Sequence, residues 1–275
     1  MEIIGKGTET FLYLNGLGVT KQVRLGKNIE LLPVTCTIDS KIIMDLSKDQ
    51  GEYGVALIFL WLVKSQLHII SGSPKLLAKD AWNSLWDVIL LSAIFNCDAV
   101  CNFQCNKPAE EITNACDFRV TNHQLRGLTQ PMYYLNDEDI AWINEYFSNA
   151  RNLLEQSKFL NAVHCLATYH WHTLPNAQLA LLWSGIEGLF DINSELVFRL
   201  SLYIARFLEV DNEEIKKMTF NNVKKLYNQR SAAVHGAGKI ADPNKSVDDS
   251  AQLLRKLILQ CINNNNLPII DDLAP

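Results

Sequence analysis

The stretch "LYNQRSAAVHGA", residues 226–237, decides how the second half of the chain is interpreted. It ends an amphipathic segment that we expect to form a helix beginning after Thr219. At about 100° per residue, one arc of that helix carries a charge among apolar side chains. The arc consists of Val223, Leu226, Tyr227, Arg230 and Val234. Because a guanidinium keeps its proton, burying Arg230 unpaired costs several kcal/mol, so we expect it to meet a carboxylate or an anion that enters a cleft.

Positive charge and a histidine accompany Arg230 on the same helix. Lys224 and Lys225 lie on its outer side, and no acidic residue occurs from residue 215 to residue 241. His235 follows Arg230 by about 140° around the helix and by about 7.5 Å along its axis. The two side chains would share one groove if the helix loosens before the Gly-Ala-Gly that follows, or if two copies of the chain pair.

Glu187 is the predicted partner of Arg230. It lies in "LALLWSGIEGLF", residues 179–190, between an apolar arc and a face of small residues that allows a neighbouring helix to approach. The small residues are Ala180, Ser184, Gly185 and Gly188. We expect Glu187 to be largely buried, and a buried carboxylate requires a cation. Arg199 and Arg206 are the alternative partners.

From about residue 134 onward the pattern predicts about six helices, separated by short polar or Gly/Pro breaks. Asn136 or Asp137 is a predicted cap of the first helix, and Ser194 and Thr219 are predicted caps of later ones. The tail from residue 263 is expected to be frayed or lightly docked. Residues 126–134 contain Gly and Pro and are the predicted linker. We therefore place an α-helical domain at residues 131–275.

The first half, residues 1–130, has a mixed pattern that predicts an α+β domain of sensing, regulatory or substrate-recruiting role. Asn15-Gly16 between two apolar runs predicts a hairpin, and Pro33 predicts an edge or a break in a further strand. Residues 75–95 predict a helix, and residues 97–105 and 116–122 predict strands. The run from residue 53 to residue 70 is apolar all round and fits either a strand or a helix. The predicted buried face of the helix is Leu77, Trp82, Leu85, Trp86, Ile89 and Ala93.

Cys97, Cys101 and Cys105 are spaced as a possible metal site, but no second cysteine pair follows them at the spacing that structural zinc sites use. If they lie on a strand, they share one face with Ala99 and Phe103, and small thiols fit such a core face. The core interpretation is favoured, so we expect no metal and no other cofactor.

Composition sets limits on the function. The chain has 275 residues, 48% of them hydrophobic, which favours two domains over one. Its net charge of −5 disfavours binding to duplex nucleic acid by bulk electrostatics, so any nucleic-acid contact would be local. No apolar run reaches the roughly 20 residues that cross a bilayer, and seven cysteines without an export signal favour reduced thiols in the cytoplasm.

The second half resembles a known family. "LYNQRSAAVHG", residues 226–236, is similar to the Arg-x4–6-His signature of the HEPN superfamily, and its fuller pattern resembles the ApeA-like branch. "LLWSGIEGLF", residues 181–190, looks like the Trp-x3-Glu helix of that branch, and residues 195–208 resemble the helix that follows it. The ordered combination covers about half of the chain.

The resemblance implies a homodimeric helical bundle in which Arg230 and His235 of both copies line a cleft. Active members are metal-independent endoribonucleases in phage defence, toxin systems or RNA processing. Arg230 would then grip the scissile phosphate, and His235 would transfer protons. Glu187, Tyr227 and Ser231 would support the site, and single-stranded RNA would pass Lys224 and Lys225. A regulatory partner or ligand would bind residues 1–130.

Many catalytic members have Asn, Asp or His directly after the arginine, whereas this chain has Ser231. Serine is usual at this position in the ApeA-like pattern, and nuclease activity is less uniform in that branch. The alternative function is therefore an inert interaction or dimerisation module in a defence or signalling complex, held together by Arg230 and Glu187. Arg230 and His235 side chains that are paired and open to solvent across a two-fold cleft would favour the enzyme. An Arg230 buried against Glu187, with His235 directed away, would favour the module.

Overall fold

A computed structural model describes residues 5–123, 131–192, 195–235 and 242–274. The chain divides into two compact units, Met1–Ser148 and Asn149–Pro275. The sequence predicts a domain boundary between residues 130 and 131, before the first helix of the second half. In the structure, the boundary between the two units falls within that helix. Most of the expected linker lies outside the described residues, and its last two residues, Tyr133–Tyr134, form a short strand.

The first unit contains eight described strands: β1 (Glu9–Asn15), β2 (Leu17–Gly18), β3 (Val23–Gly26), β4 (Ile29–Pro33), β5 (Ser65–Ile70), β6 (Val100–Cys105), β7 (Phe118–Val120) and β8 (Tyr133–Tyr134). Six of them form an antiparallel sheet in the order β3-β4-β5-β1-β6-β7. The other two, β2 and β8, pair in parallel. Three helices accompany them: α1 (Ser40–Leu46), α2 (Gln50–Phe59) and α3 (Pro74–Phe95). The α+β expectation for the N-terminal region is confirmed.

Strand β1 lies at the centre of the sheet and has apolar side chains on both faces. Phe11 and Tyr13 join a core with residues of α1 and α2. Leu12 and Leu14 point to the opposite face by strand alternation and are fully buried. Helix α3 contacts β1, β5 and β6. The sheet therefore packs on both faces.

The predicted hairpin at Asn15-Gly16 is wrong. Strand β1 pairs with β5 and β6 rather than with β2, and a hairpin joins β3 to β4 instead. Gly16 does adopt the left-handed backbone of a turn, with φ of 78°, and a Cβ atom at this position would clash with the carbonyl oxygen of Asp98. Pro33 ends β4 as a break, but β4 lies inside the sheet and is not an edge.

Other predictions for the first unit hold in part. The run from residue 53 to residue 70 contains both structures, the end of α2 and all of β5. Helix α3 and strands β6 and β7 are where they were predicted. The predicted buried face of α3 is wrong at Trp82, which is 50% exposed, because the buried face runs through Ala81, Ser84 and Val88. Three other predicted members are only half-buried: Leu85, Trp86 and Ile89.

The remaining helices are α4 (Asp137–Leu153), in which the boundary between the units falls, and six that belong to the second unit: α5 (Ser157–Thr168), α6 (Pro175–Phe190), α7 (Leu196–Leu208), α8 (Glu213–His235), α9 (Pro243–Asn264) and the short α10 (Ile270–Leu273). The helical expectation for this region is confirmed. Helix α6 is central, since it contacts α5, α8 and α9. Its Trp183 is completely buried.

The helix ends test the predicted caps. Asn136 caps α4, because its Oδ1 accepts a hydrogen bond from the backbone N–H of Asp139. Thr219 is not a cap: α8 begins six residues earlier, at Glu213, after Asn212 accepts two backbone hydrogen bonds. Ser194 lies outside the described residues. In the tail, the backbone oxygen of Leu273 accepts a hydrogen bond from Arg206, so α10 is docked.

Three further observations concern partners and cofactors. All seven cysteines are free thiols. Across the part of the chain that the structure describes, no group of three or more His, Cys, Asp or Glu side chains is arranged to hold a metal ion. Over the same residues, every helix is too short or too polar to cross a membrane.

Candidate functional site around Arg230

Helix α8 positions Arg230 by burying the predicted stripe. Val223, Leu226 and Tyr227 are buried, and α8 packs on α7 and also contacts α6 and α9. The stripe differs from the prediction at its end, where Val234 is 41% exposed and Ala233 is buried instead. Arg230 therefore lies near the end of the buried stripe.

Glu187 of α6 faces Arg230. Its Oε1 lies 3.4 Å from Nη2 of Arg230, and the two side chains are 27% and 19% exposed. The partner predicted from the apolar surroundings of both residues is thus in place. Of the two alternatives, Arg199 instead donates a hydrogen bond to the hydroxyl of Tyr203, and Arg206 donates to the backbone of the C-terminal segment. The pair joins the last turn of α6 to the last turns of α8.

The contact between the two charges is loose. Charge-assisted hydrogen bonds between such groups are usually about 2.7–2.9 Å long, whereas these two atoms, 3.4 Å apart, form an ion pair without a hydrogen bond. Neither Oε1 of Glu187 nor Nε of Arg230 has a hydrogen-bond partner among the described residues, although both atoms are buried. Since an unpartnered buried polar atom costs about 1–3 kcal/mol, the pair has hydrogen-bonding capacity that a further group would satisfy.

Two aromatic side chains fix the position of Arg230. Its guanidinium lies 5.7 Å from the ring centre of Tyr227, within the range of a cation–π contact. Tyr227 meets Trp183 edge to face at 5.2 Å. The indole N–H of Trp183 in turn donates to the hydroxyl of Ser250 on α9. Three helices therefore hold the surroundings of the arginine.

Burial dominates the titration of this cluster. The pKa of Glu187 is raised above its usual 4.5, because removal from water disfavours the carboxylate more than Arg230 stabilises it. Burial also raises the pKa of Tyr227, and the Glu187 carboxylate adds to that effect. Both groups resist ionisation because water has little access to them.

The other predicted site residues lie on the same helix, α8, as Arg230. Lys224 and Lys225 are exposed, and Ser231 is half-buried. His235 is the last residue of α8. Because the helix continues to that residue, the backbone positions of Arg230 and His235 stay about 140° apart around the axis. The structure brings Glu187, Tyr227 and Arg230 together and does not place Arg230 and His235 on one face of the helix.

Sequence reasoning missed Ser250, which anchors Trp183. Ser250 is fully buried within the apolar stripe of α9, and a polar residue at such a position requires a partner. That signal was available in the sequence, but the identity of the partner was not, since Trp183 lies on another helix.

Comparisons with models of protein families, with curated proteins and with solved structures found no match to this chain. A half-buried guanidinium with an unused donor suits recognition of an oxyanion such as a phosphodiester.

Proposed function

We propose that the chain is a metal-independent endoribonuclease of HEPN type that cleaves single-stranded RNA as a homodimer. The observation that supports this most is the loose pairing of Arg230: its Nε is buried without a described partner, and Glu187 is 3.4 Å away. Since Nε is buried, a phosphate oxygen would reach this donor by displacing the loosely held Glu187 side chain. The expected role is a defence or toxin effector.

In the proposed reaction the 2′-oxygen of the RNA attacks the adjacent phosphorus, and the bond from phosphorus to the 5′-oxygen breaks. The proton leaves the 2′-hydroxyl, and a proton is delivered to the departing 5′-oxygen. His235 suits either transfer, because an imidazole titrates near neutral pH. Arg230 stabilises the charge that develops on the phosphoryl oxygens. The products are a 2′,3′-cyclic phosphate and a 5′-hydroxyl, and the reaction consumes no water.

Two copies of the chain would complete the proposed site. Within one copy the backbone positions of Arg230 and His235 point to different sides of α8. A second copy would bring its own arginine and histidine to the same cleft. Tyr227 and Ser231 would support the arginine, and Lys224 and Lys225 would attract the RNA strand from solvent.

The test is cleavage of a mixed single-stranded RNA pool with EDTA present. We expect the wild type to cleave, and Arg230→Ala and His235→Ala to lose at least about 100-fold in rate, as the loss of one charge-stabilising or proton-transferring group commonly does. His172→Ala is the matched control, since His172 is exposed and belongs to the same unit. No cleavage by a folded wild-type dimer would contradict the proposal.

The alternative is an inert interaction module, and two observations favour it. The Arg230–Glu187 contact already gives the half-buried guanidinium a counter-charge without any RNA. The backbone position of His235 also lies about 140° from that of Arg230 around α8, as the module predicts. In that case the wild type would cleave nothing, and Arg230→Ala would weaken dimerisation or folding. Sedimentation of the wild type and of Arg230→Ala, beside the cleavage assay, separates the two functions.

A further inference from the structure

A cavity of about 350 Å³ lies among α7, α8 and α9 of the second unit, away from the Arg230–Glu187 pair. Val223, Leu253 and Leu259 give it an apolar part, and most of the other lining residues are polar or charged. Ligand sites for small organic groups usually have volumes of about 300–1,000 Å³. The cavity is at the small end of that range, the size for a single ring system.

Amide side chains supply polar groups on the wall. Asn222 of α8 and Gln252 and Asn263 of α9 line the cavity. All three side chains are exposed, and within the described ranges none of them hydrogen-bonds to the protein. An amide presents a donor and an acceptor side by side, which matches the edge of a nucleobase. Bases taken out of a stack are held in this way, by hydrogen bonds to their edges and apolar contact with their faces.

The charges of the cavity disfavour a phosphate. Glu209 and Asp249 line it together with one lysine, Lys256, so the formal sum is about −1. An uncharged ring with N–H and C=O groups fits this balance better than an anion does. The cavity is therefore suited to the base of a nucleotide, and the phosphate must lie elsewhere.

The cavity and Arg230 lie along the same helix, α8. Thr219 and Val223 line the cavity and lie within about 20° of Arg230 around the helix. Val223 precedes Arg230 by seven residues, which is about 10.5 Å along the axis. Because Val223, Leu226 and Tyr227 are buried against the neighbouring helices, a strand would pass around that face of α8 rather than along it. Stacked nucleotides rise about 3.4 Å each, so a strand held at Arg230 needs about three nucleotides or more to reach the cavity.

We propose that this cavity binds one nucleobase of the single-stranded RNA, a few nucleotides from the phosphate at Arg230, and that it gives the protein a base preference. The inference rests on the proposed function, because Arg230 is taken as the phosphate contact. Asn222 and Gln252 are assigned as the groups that read the base.

The probe is a set of four fluorescently labelled octanucleotides with a common uridine background and A, C, G or U at the two central positions. All riboses carry 2′-O-methyl groups, so binding is measured by anisotropy without cleavage. We expect the wild type to prefer one central base. Asn222→Ala and Gln252→Ala should bind that octamer about three- to tenfold more weakly, the usual effect of one lost hydrogen bond, and should lose the preference.

Asn221→Ala is the matched control, because Asn221 is exposed on the same helix and does not line the cavity. Equal binding of all four octamers by the wild type, no binding, or an equal loss in Asn221→Ala would overturn the inference. Cleavage of unmodified octamers with EDTA present tests the nuclease proposal separately from the base site. If the unmodified octamers are cleaved but the cavity variants bind as the wild type does, the nuclease proposal stands and the base site is excluded. If the base preference depends on the cavity but nothing is cleaved, the base site stands and the nuclease proposal is excluded.

Discussion

Gly16 has a left-handed backbone, with φ of 78°, and a Cβ atom at this position would lie 2.0 Å from the carbonyl oxygen of Asp98. Gly7 has nearly the same φ, 77°, with nothing within 4 Å. We expect Gly7→Ala to cost about 1 kcal/mol of unfolding free energy, from the backbone alone. Gly16→Ala should cost about 3 kcal/mol or more, because the backbone of Asp98 must also move. Urea denaturation of both variants measures the difference, and equal losses would contradict the clash.

Glu187 is the residue whose titration should affect stability. Its folded-state pKa is raised above 4.5 by burial, so the folded state binds the proton more tightly than the unfolded state does. The stabilising contribution is complete below pH 4.5 and is lost as the pH rises through the folded-state pKa. We expect the unfolding free energy of wild type minus that of Glu187→Gln to fall between pH 4.5 and pH 7.

The measurement is denaturant unfolding of both proteins across that range. Glu9→Gln provides a comparison with another carboxylate, which is half exposed and contacts a histidine rather than an arginine. A difference between wild type and Glu187→Gln that rises with pH would mean that attraction to Arg230 outweighs burial.

Among the elements, α6 depends on glycine for close packing. A Cβ at Gly185 would lie 3.0 Å from the side chain of Leu254 and 3.1 Å from that of Cys165, which come from two different helices. A Cβ at Gly188 would be 3.4 Å from the end of one asparagine side chain. We expect Gly185→Ala to destabilise the protein by about 1–3 kcal/mol.

Gly188→Ala is the matched control on the same helix. Its contact is an ordinary one, and replacing a helical glycine by alanine gains about 0.5–1 kcal/mol, so this variant should be neutral or more stable. Thermal unfolding of both variants checks the pair. A Gly185→Ala protein as stable as Gly188→Ala would show that α5 and α9 adjust to the added methyl group.

The helices of the second unit were predictable from the sequence because an amphipathic helix carries its own signal in the 3.6-residue period. Their ends were less so. The beginning of α8 was placed at Thr219, although Asn212 followed by two acidic residues is a typical helix start. The apolar stripe does not begin until Val223, so the 3.6-residue period alone predicts a later helix start than the cap residue does.

At the scale of the whole molecule, the sheet could not be predicted from local signals. Strand β1 pairs with β5 and β6, which lie far along the chain, while Asn15-Gly16 indicated a local hairpin. The Arg230–Glu187 pair was predictable, since two opposite charges within apolar stripes need each other. The cavity was not predictable, because its walls come from three helices and no single segment of the sequence carries a signal for it.

The net charge of the molecule makes salt dependence a sharp test of RNA binding. With a net charge of −5, attraction to RNA must come from a local set of cations, and Lys224 and Lys225 are exposed on α8. For single strands, the slope of log K against log salt changes by about 0.7 for each phosphate contact. We expect Lys224→Ala and Lys225→Ala each to make the slope shallower by about 0.7, with base preference unchanged. Lys41→Ala, an exposed lysine of the first unit, is the control, and an unchanged slope in the Lys224→Ala/Lys225→Ala double variant would exclude this face of α8 as the path of the strand.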